Sequence, residues 1–191
     1  MRTKPLLHLL SVTTGLMALA WSRTALADSS TIKRPGAHPP YFVELEPHFV
    51  LGPFDPPEVG TGTGIGPGVR VTLEFLDNGP IQKINNTMGI GLGLDWVHYA
   101  KGGRCEDDPL CKDTSVDHYY VPIVLQWNFW LSQNWSVFGE PGIAFRASPD
   151  TRDRFDTWVI GGGGRLHFSD AVALTLRVGM PAFSAGVSFL F

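Results

Sequence analysis

The sequence predicts an all-β chain, an eight-stranded antiparallel up-and-down barrel that spans a membrane. Three observations predict it. Eight stretches alternate apolar and polar positions with period two, the pattern of strands with two different faces. The 22 Gly and 15 Pro are scattered through all 191 residues and would break a long helix bundle. After the first thirty positions, no run of about 18 purely apolar residues offers a membrane-spanning helix. The chain is 43% hydrophobic and only 17% charged, against roughly 25% charged in soluble domains.

The amino terminus is an address. Arg2 and Lys4 give a positive start, Leu6 to Trp21 form a mostly apolar stretch, and Ala25-Leu26-Ala27 is a small-x-small cleavage site before Asp28. Residues 1–27 are therefore expected to be a cleaved signal peptide. No cysteine follows the site, so a lipoprotein anchor is not indicated. Cleavage removes Arg2, Lys4 and Arg23 but none of the 18 acids, which takes the net charge from −3 to −6. An acidic exported chain is a poor candidate for nucleic acid. Asp28 to Pro40 then reads as a Pro/Ser-rich lead-in, and the barrel as residues 41–191.

The strands follow in order. The first sets Tyr41, Val43, Leu45, Pro47, Phe49 and Leu51 against Glu44, Glu46 and His48. The second sets Val69, Val71, Leu73 and Phe75 against Arg70, Thr72 and Glu74. In the third, Met88, Ile90, Leu92, Leu94 and Trp96 oppose Gly89, Gly91, Gly93 and Asp95. The fourth alternates Tyr119 through Phe129 with Gln126 and Asn128. Next, Trp135, Val137, Ile143 and Phe145 oppose Ser136, Glu140 and Arg146, and Trp158, Ile160, Leu166 and Phe168 oppose Gly161, Gly163, Arg165 and His167. Val172, Leu174, Leu176 and Val178 oppose Ala173, Thr175 and Arg177. The last strand sets Phe183, Ala185, Val187, Phe189 and Phe191 against Ser184, Gly186 and Ser188.

A soluble sandwich also alternates, but its polar face looks at water and is rich in Lys and Thr. Here that face is rich in Gly, lacks Lys, and nearly balances Glu44, Glu46, Glu74, Asp95 and Glu140 against Arg70, Arg146, Arg165 and Arg177. Small residues leave room and buried charges must pair, so this is the lining of a narrow lumen. Aromatics near strand ends (Trp96, Tyr119, Trp135, Phe168) suit an interfacial girdle. Strands facing lipid must close, because every backbone group needs a partner there. Connections mostly alternate long and short, with the longest (Ala100 to Asp117) on the outward side. The first inward turn is long and the last outward loop short. Cys105 and Cys111, alone in the chain, are expected to form a local disulfide in that longest loop.

With its signal peptide, eight strands and a final strand ending in an aromatic residue, the chain resembles the eight-stranded outer-membrane barrels of Gram-negative bacteria. That superfamily includes OmpA's membrane domain, OmpX and OmpW. The resemblance covers residues 41–191 and implies location in the bacterial outer membrane. It also implies lipid and lipopolysaccharide as neighbours, and an assembly signal at Val187, Phe189 and Phe191 read by the barrel-assembly machinery. No wall-binding domain is expected after the barrel.

Sites of chemistry are sparse. Gly60 to Gly68 repeats glycine every second residue but is not a phosphate-binding loop. His167-Phe168-Ser169-Asp170 is similar to the His-x-Ser string of outer-membrane lipid A deacylases, yet it ends an inward-running strand, far from the outer leaflet. Glu44, Glu46, His48, Asp95 and Glu140 read either as a metal or acid/base cluster or as a charge-paired plug with the arginines; the plug is favoured. Asp150, Asp153 and Asp156 do not match a calcium loop. No cofactor, metal or catalytic role is expected. The expected role is structural or interactive: envelope integrity, adhesion, or recognition of an extracellular ligand through outward loops. The alternative is a narrow OmpW-like conduit for small or hydrophobic solutes. Behind it stand a lipid A-modifying enzyme and a secreted, soluble lipocalin-like binding barrel.

Overall fold

The computed structural model describes residues 30–52, 63–99, 115–148 and 156–191. Eight strands run in chain order: β1 (Val43–Gly52), β2 (Gly64–Leu76), β3 (Asn86–Tyr99), β4 (Val116–Trp130), β5 (Trp135–Ala147), β6 (Asp156–Ser169), β7 (Val172–Met180) and β8 (Phe183–Leu190). Each pairs antiparallel with the next, and β8 returns to β1, so the sheet is a closed barrel without an edge. Phe191 completes the seam: its N–H donates to Val43 O at 2.9 Å, and its carbonyl accepts from the N–H of Phe42 and of Val43.

The period-two alternation becomes inside and outside. Leu92, Phe49 and Leu176 stand outward with half or more of their surface exposed, whereas Glu44, Glu46 and Glu140 inside are 1% exposed. A soluble barrel would have its apolar face inside. This one is inverted, and its exterior is fit only for hydrocarbon.

One face assignment changes. Tyr41 was expected on the outer face with Val43 and Leu45, but it lies before β1 begins and is buried, packed with Trp130 and Leu190 at the lumen's end. Alternation carries no information about a residue beyond the ladder.

The strands are unequal. β3 and β4 have 14 and 15 residues, β7 and β8 only 9 and 8. Connections 77–85, 131–134 and 170–171 gather with both ends of the barrel segment at one rim, the turn end; the opposite rim is the loop end. Residues 30–40 do not trail away from the turn end. Thr31 is buried and donates its N–H to Leu131 O at 3.0 Å, Ile32 O accepts from Asn85 N at 2.8 Å, and His38 stacks on Trp130 with ring centroids 5.4 Å apart. Cys105 and Cys111, the glycines at 60 and 62, the acids at 150 and 153, and residues 1–27 all lie outside the described residues.

Candidate functional site

The inward positions converge on the lumen, and their pairing follows from register and reach. Glu46 of β1 and Arg177 of β7 meet in a bidentate bond, Nη1 to Oε1 at 2.6 Å and Nη2 to Oε2 at 2.9 Å. The same guanidinium donates Nε to Glu140 Oε2 at 2.7 Å. Glu140 also accepts from Arg70 Nη1 at 2.9 Å and from Gln126 Nε2 at 2.9 Å. Strands β1, β2, β4, β5 and β7 are thus tied at one level.

A second layer lies nearer the turn end. Arg165 donates Nε and Nη2 to Glu44 at 3.0 and 2.8 Å and Nη1 to Asn128 Oδ1 at 2.6 Å. Ser188 Oγ donates to Glu44 at 2.7 Å and shares a 2.6 Å bond with Thr175. Between the layers sits Phe138, with the Arg165 guanidinium 4.3 Å and that of Arg177 5.0 Å from its ring centroid. Ring quadrupole and cations attract, most strongly where water is excluded. Phe138 is an apolar residue on the polar face, and the sequence reading passed over it. Its parity with Ser136 and Glu140 was the available signal.

Towards the loop end, His48 Nε2 meets Asp95 Oδ1 at 2.9 Å and Nδ1 faces the Glu46 carbonyl at 3.2 Å. The glycines explain how the ring fits: a Cβ on Gly68 would run into His48 Nε2 and Asp95 Oδ1, and one on Gly186 would meet His48 Cβ at 2.5 Å. Eight of the ten expected lumen charges therefore stand together. The other two stand apart. Glu74 lies at the turn end and bonds Tyr41 and Thr87, while Arg146 reaches Tyr120 near the loop end.

Each carboxylate of Glu44, Glu46 and Glu140 is matched to a guanidinium. A cavity of about 30 Å³ remains above the Glu140 layer, lined among others by Asp95, Tyr120 and Val159. That is room for a water molecule or two.

His167 and Ser169 do not come together. A register shift between them separates the pair; His167 turns inward, its Nε2 2.9 Å from Ser136 Oγ, while exposed Ser169 accepts from Ala171 N at 3.3 Å as a turn residue. Val187, Phe189 and Phe191 all stand on the outer face.

An inverted, closed, eight-stranded antiparallel barrel with a charge-paired interior has the architecture of a transmembrane β-barrel. No family model matches the sequence, and no curated protein matches it. Among solved structures, the chain is similar to the outer membrane protein Ail of Yersinia pestis in a phospholipid bilayer nanodisc, at 11% identity and a TM-score of 0.49, over 80% of this chain and 100% of that one. It is also similar to Ail, the attachment invasion locus protein of Yersinia pestis, in complex with the heparin analogue sucrose octasulfate. That likeness has 11% identity and a TM-score of 0.47, over 79% of this chain and 99% of the other.

Proposed function

We propose that this chain is a bacterial outer-membrane barrel acting as a closed scaffold, structural in itself and interactive through its outward loops, without catalysis. The observation that carries the reading is the lattice of Arg177, Glu46, Glu140 and Arg70, which ties facing strands across the lumen with every member buried. A bore filled by paired charges transports poorly, because moving a solute through it means breaking those pairs in a low-dielectric interior. The OmpW-like conduit is the weaker reading for that reason. Lipid A chemistry has little to work with, since Ser169 stands apart from His167 and Ser136 is fully buried.

The test is refolding of the mature chain, Asp28 to Phe191, into phospholipid. A mobility shift between boiled and unboiled samples, with no discrete conductance steps in a planar bilayer, supports the closed scaffold. Discrete steps overturn it in favour of the conduit. Solubility in plain buffer without a mobility shift overturns the membrane reading and restores the lipocalin-like barrel.

A further inference from the structure

We propose that the turn end of the barrel carries a docking patch for anionic phospholipid headgroups, formed by Lys33, Arg34 and Lys83 beside exposed Ile81. The inference rests on the membrane reading, which sets this rim at the periplasmic surface of the bilayer.

Two separate stretches of chain build the patch. In residues 30–40, Arg34 N donates to Thr31 O at 2.8 Å and Ala37 N to Arg34 O at 3.1 Å, so Lys33 and Arg34 sit in two consecutive turns. The second turn runs through Pro35 and Gly36, whose φ of 71° is what a type II turn requires at that place. In the connection 77–85, Ile84 N donates to Ile81 O at 3.1 Å and turns the chain through Gln82 and Lys83. The Asn85 N–H donates to Ile32 O at 2.8 Å and joins the two stretches. That bond lies next to Lys33 on one side and close behind Lys83 on the other.

The second turn of chain is anchored to the lipid face. Asn86 Nδ2 donates to Ile81 O at 2.9 Å and to Ile84 O at 2.8 Å, while its Oδ1 accepts from Trp127 Nε1 at 2.9 Å. Trp127 alternates outward between buried Gln126 and Asn128, and its ring centroid is 4.8 Å from that of Phe129. Indole rings settle at the headgroup level of a bilayer, apolar body inward and N–H towards the polar side. This ring therefore fixes the height of the turn. Ile81, 42% exposed, meets the interface, and the long stem of Lys83 carries its ammonium out to the phosphates.

Charge selects the occupant. Lys33, Arg34 and Lys83 are exposed, and none of them meets a carboxylate among the described residues. Two exposed acids of the same rim, Asp77 and Asp170, belong with His38: Asp77 Oδ1 lies 3.8 Å from its Nε2, and Asp170 lines the same groove. Three cations are thus left for the membrane. The mature chain as a whole, at −6, is repelled by an anionic surface. A preference for anionic lipid must then come from a local patch, acting within a Debye length of about 8 Å at physiological salt.

The test is native mass spectrometry of the mature chain released from nanodiscs of equal parts phosphatidylglycerol and phosphatidylcholine. The two lipids share a phosphate and differ in net charge. The native chain should retain phosphatidylglycerol in excess, by about fivefold for each cation that reaches a headgroup. The triple variant Lys33→Gln, Arg34→Gln, Lys83→Gln should bring the two lipids to parity. A control carrying Lys101→Gln, Arg104→Gln and Lys112→Gln loses the same charge and should keep the excess. No excess in the native chain overturns the patch, as does an excess that survives in the first triple variant or an equal loss in both. The boiling shift, run on the same samples, tells failure of the patch from failure of the membrane reading.

Discussion

Arg177 of β7 and Glu46 of β1 are 131 residues apart in sequence and meet in a two-pronged bond across the lumen, at 2.6 and 2.9 Å. The pair is almost fully buried, so neither charge has water to fall back on. Arg177→Leu should leave Glu46 stranded and cost about 3–5 kcal/mol, read as a lower urea midpoint of the refolded barrel. Adding Glu46→Leu should recover part of the loss, since the second change removes the orphan. A double variant no better than the single would show that the pair contributes by packing alone.

Phe138 gives a graded series. Phe138→Leu keeps apolar bulk but removes the ring face from both guanidiniums, at a cost of up to about 2 kcal/mol in a desolvated site. Phe138→Ala also opens a cavity and should cost about 3–5 kcal/mol. The urea midpoints should fall in that order; equal effects would mean that only volume matters here.

Glycines on the two faces should answer oppositely. Gly68→Ala places a Cβ against His48 and Asp95, so it should part that pair and cost about 1–3 kcal/mol. A Cβ on Gly139 meets nothing within 4 Å. Gly139→Ala should be neutral or gain about 0.5–1 kcal/mol, because glycine is a poor strand residue. The pair of substitutions checks the inside-outside assignment by stability alone.

Leu92 lies midway along β3 on the outer face and is 54% exposed. In water, Leu92→Arg would be nearly silent. In a bilayer it should cost about 2–4 kcal/mol, as cations on the lipid face of barrels do near the midplane. Folding titrations of Leu92→Arg in phospholipid vesicles measure this directly, and a change under about 0.5 kcal/mol would contradict the lipid-facing assignment.

Strand count, face and order were legible because a two-residue period is a local property, written within each strand. The partners were not. Glu44 reaches Arg165 over 121 positions, and which acid meets which arginine depends on the register of eight ladders and on where glycine leaves room. Tyr41 and the segment 30–40 escaped for a different reason. They have no alternation to read, and their places are fixed by Trp130, Leu131 and Asn85, residues that meet them only once the barrel has closed.

The last residue separates folding from delivery. Phe191 closes the seam through its backbone, bonding Val43 in both directions, while its side chain is 69% exposed on the outer face. Phe191→Ala keeps every one of those backbone bonds, so the purified chain should refold with its stability changed by no more than about 0.5 kcal/mol. If Val187, Phe189 and Phe191 are what the assembly machinery reads, the same variant should still accumulate poorly in the outer membrane of cells. Quantifying heat-shifted protein in membrane fractions beside the refolding yield measures both at once. Normal accumulation in cells would refute the assembly role, and a matching loss in both assays would make Phe191 a structural residue instead.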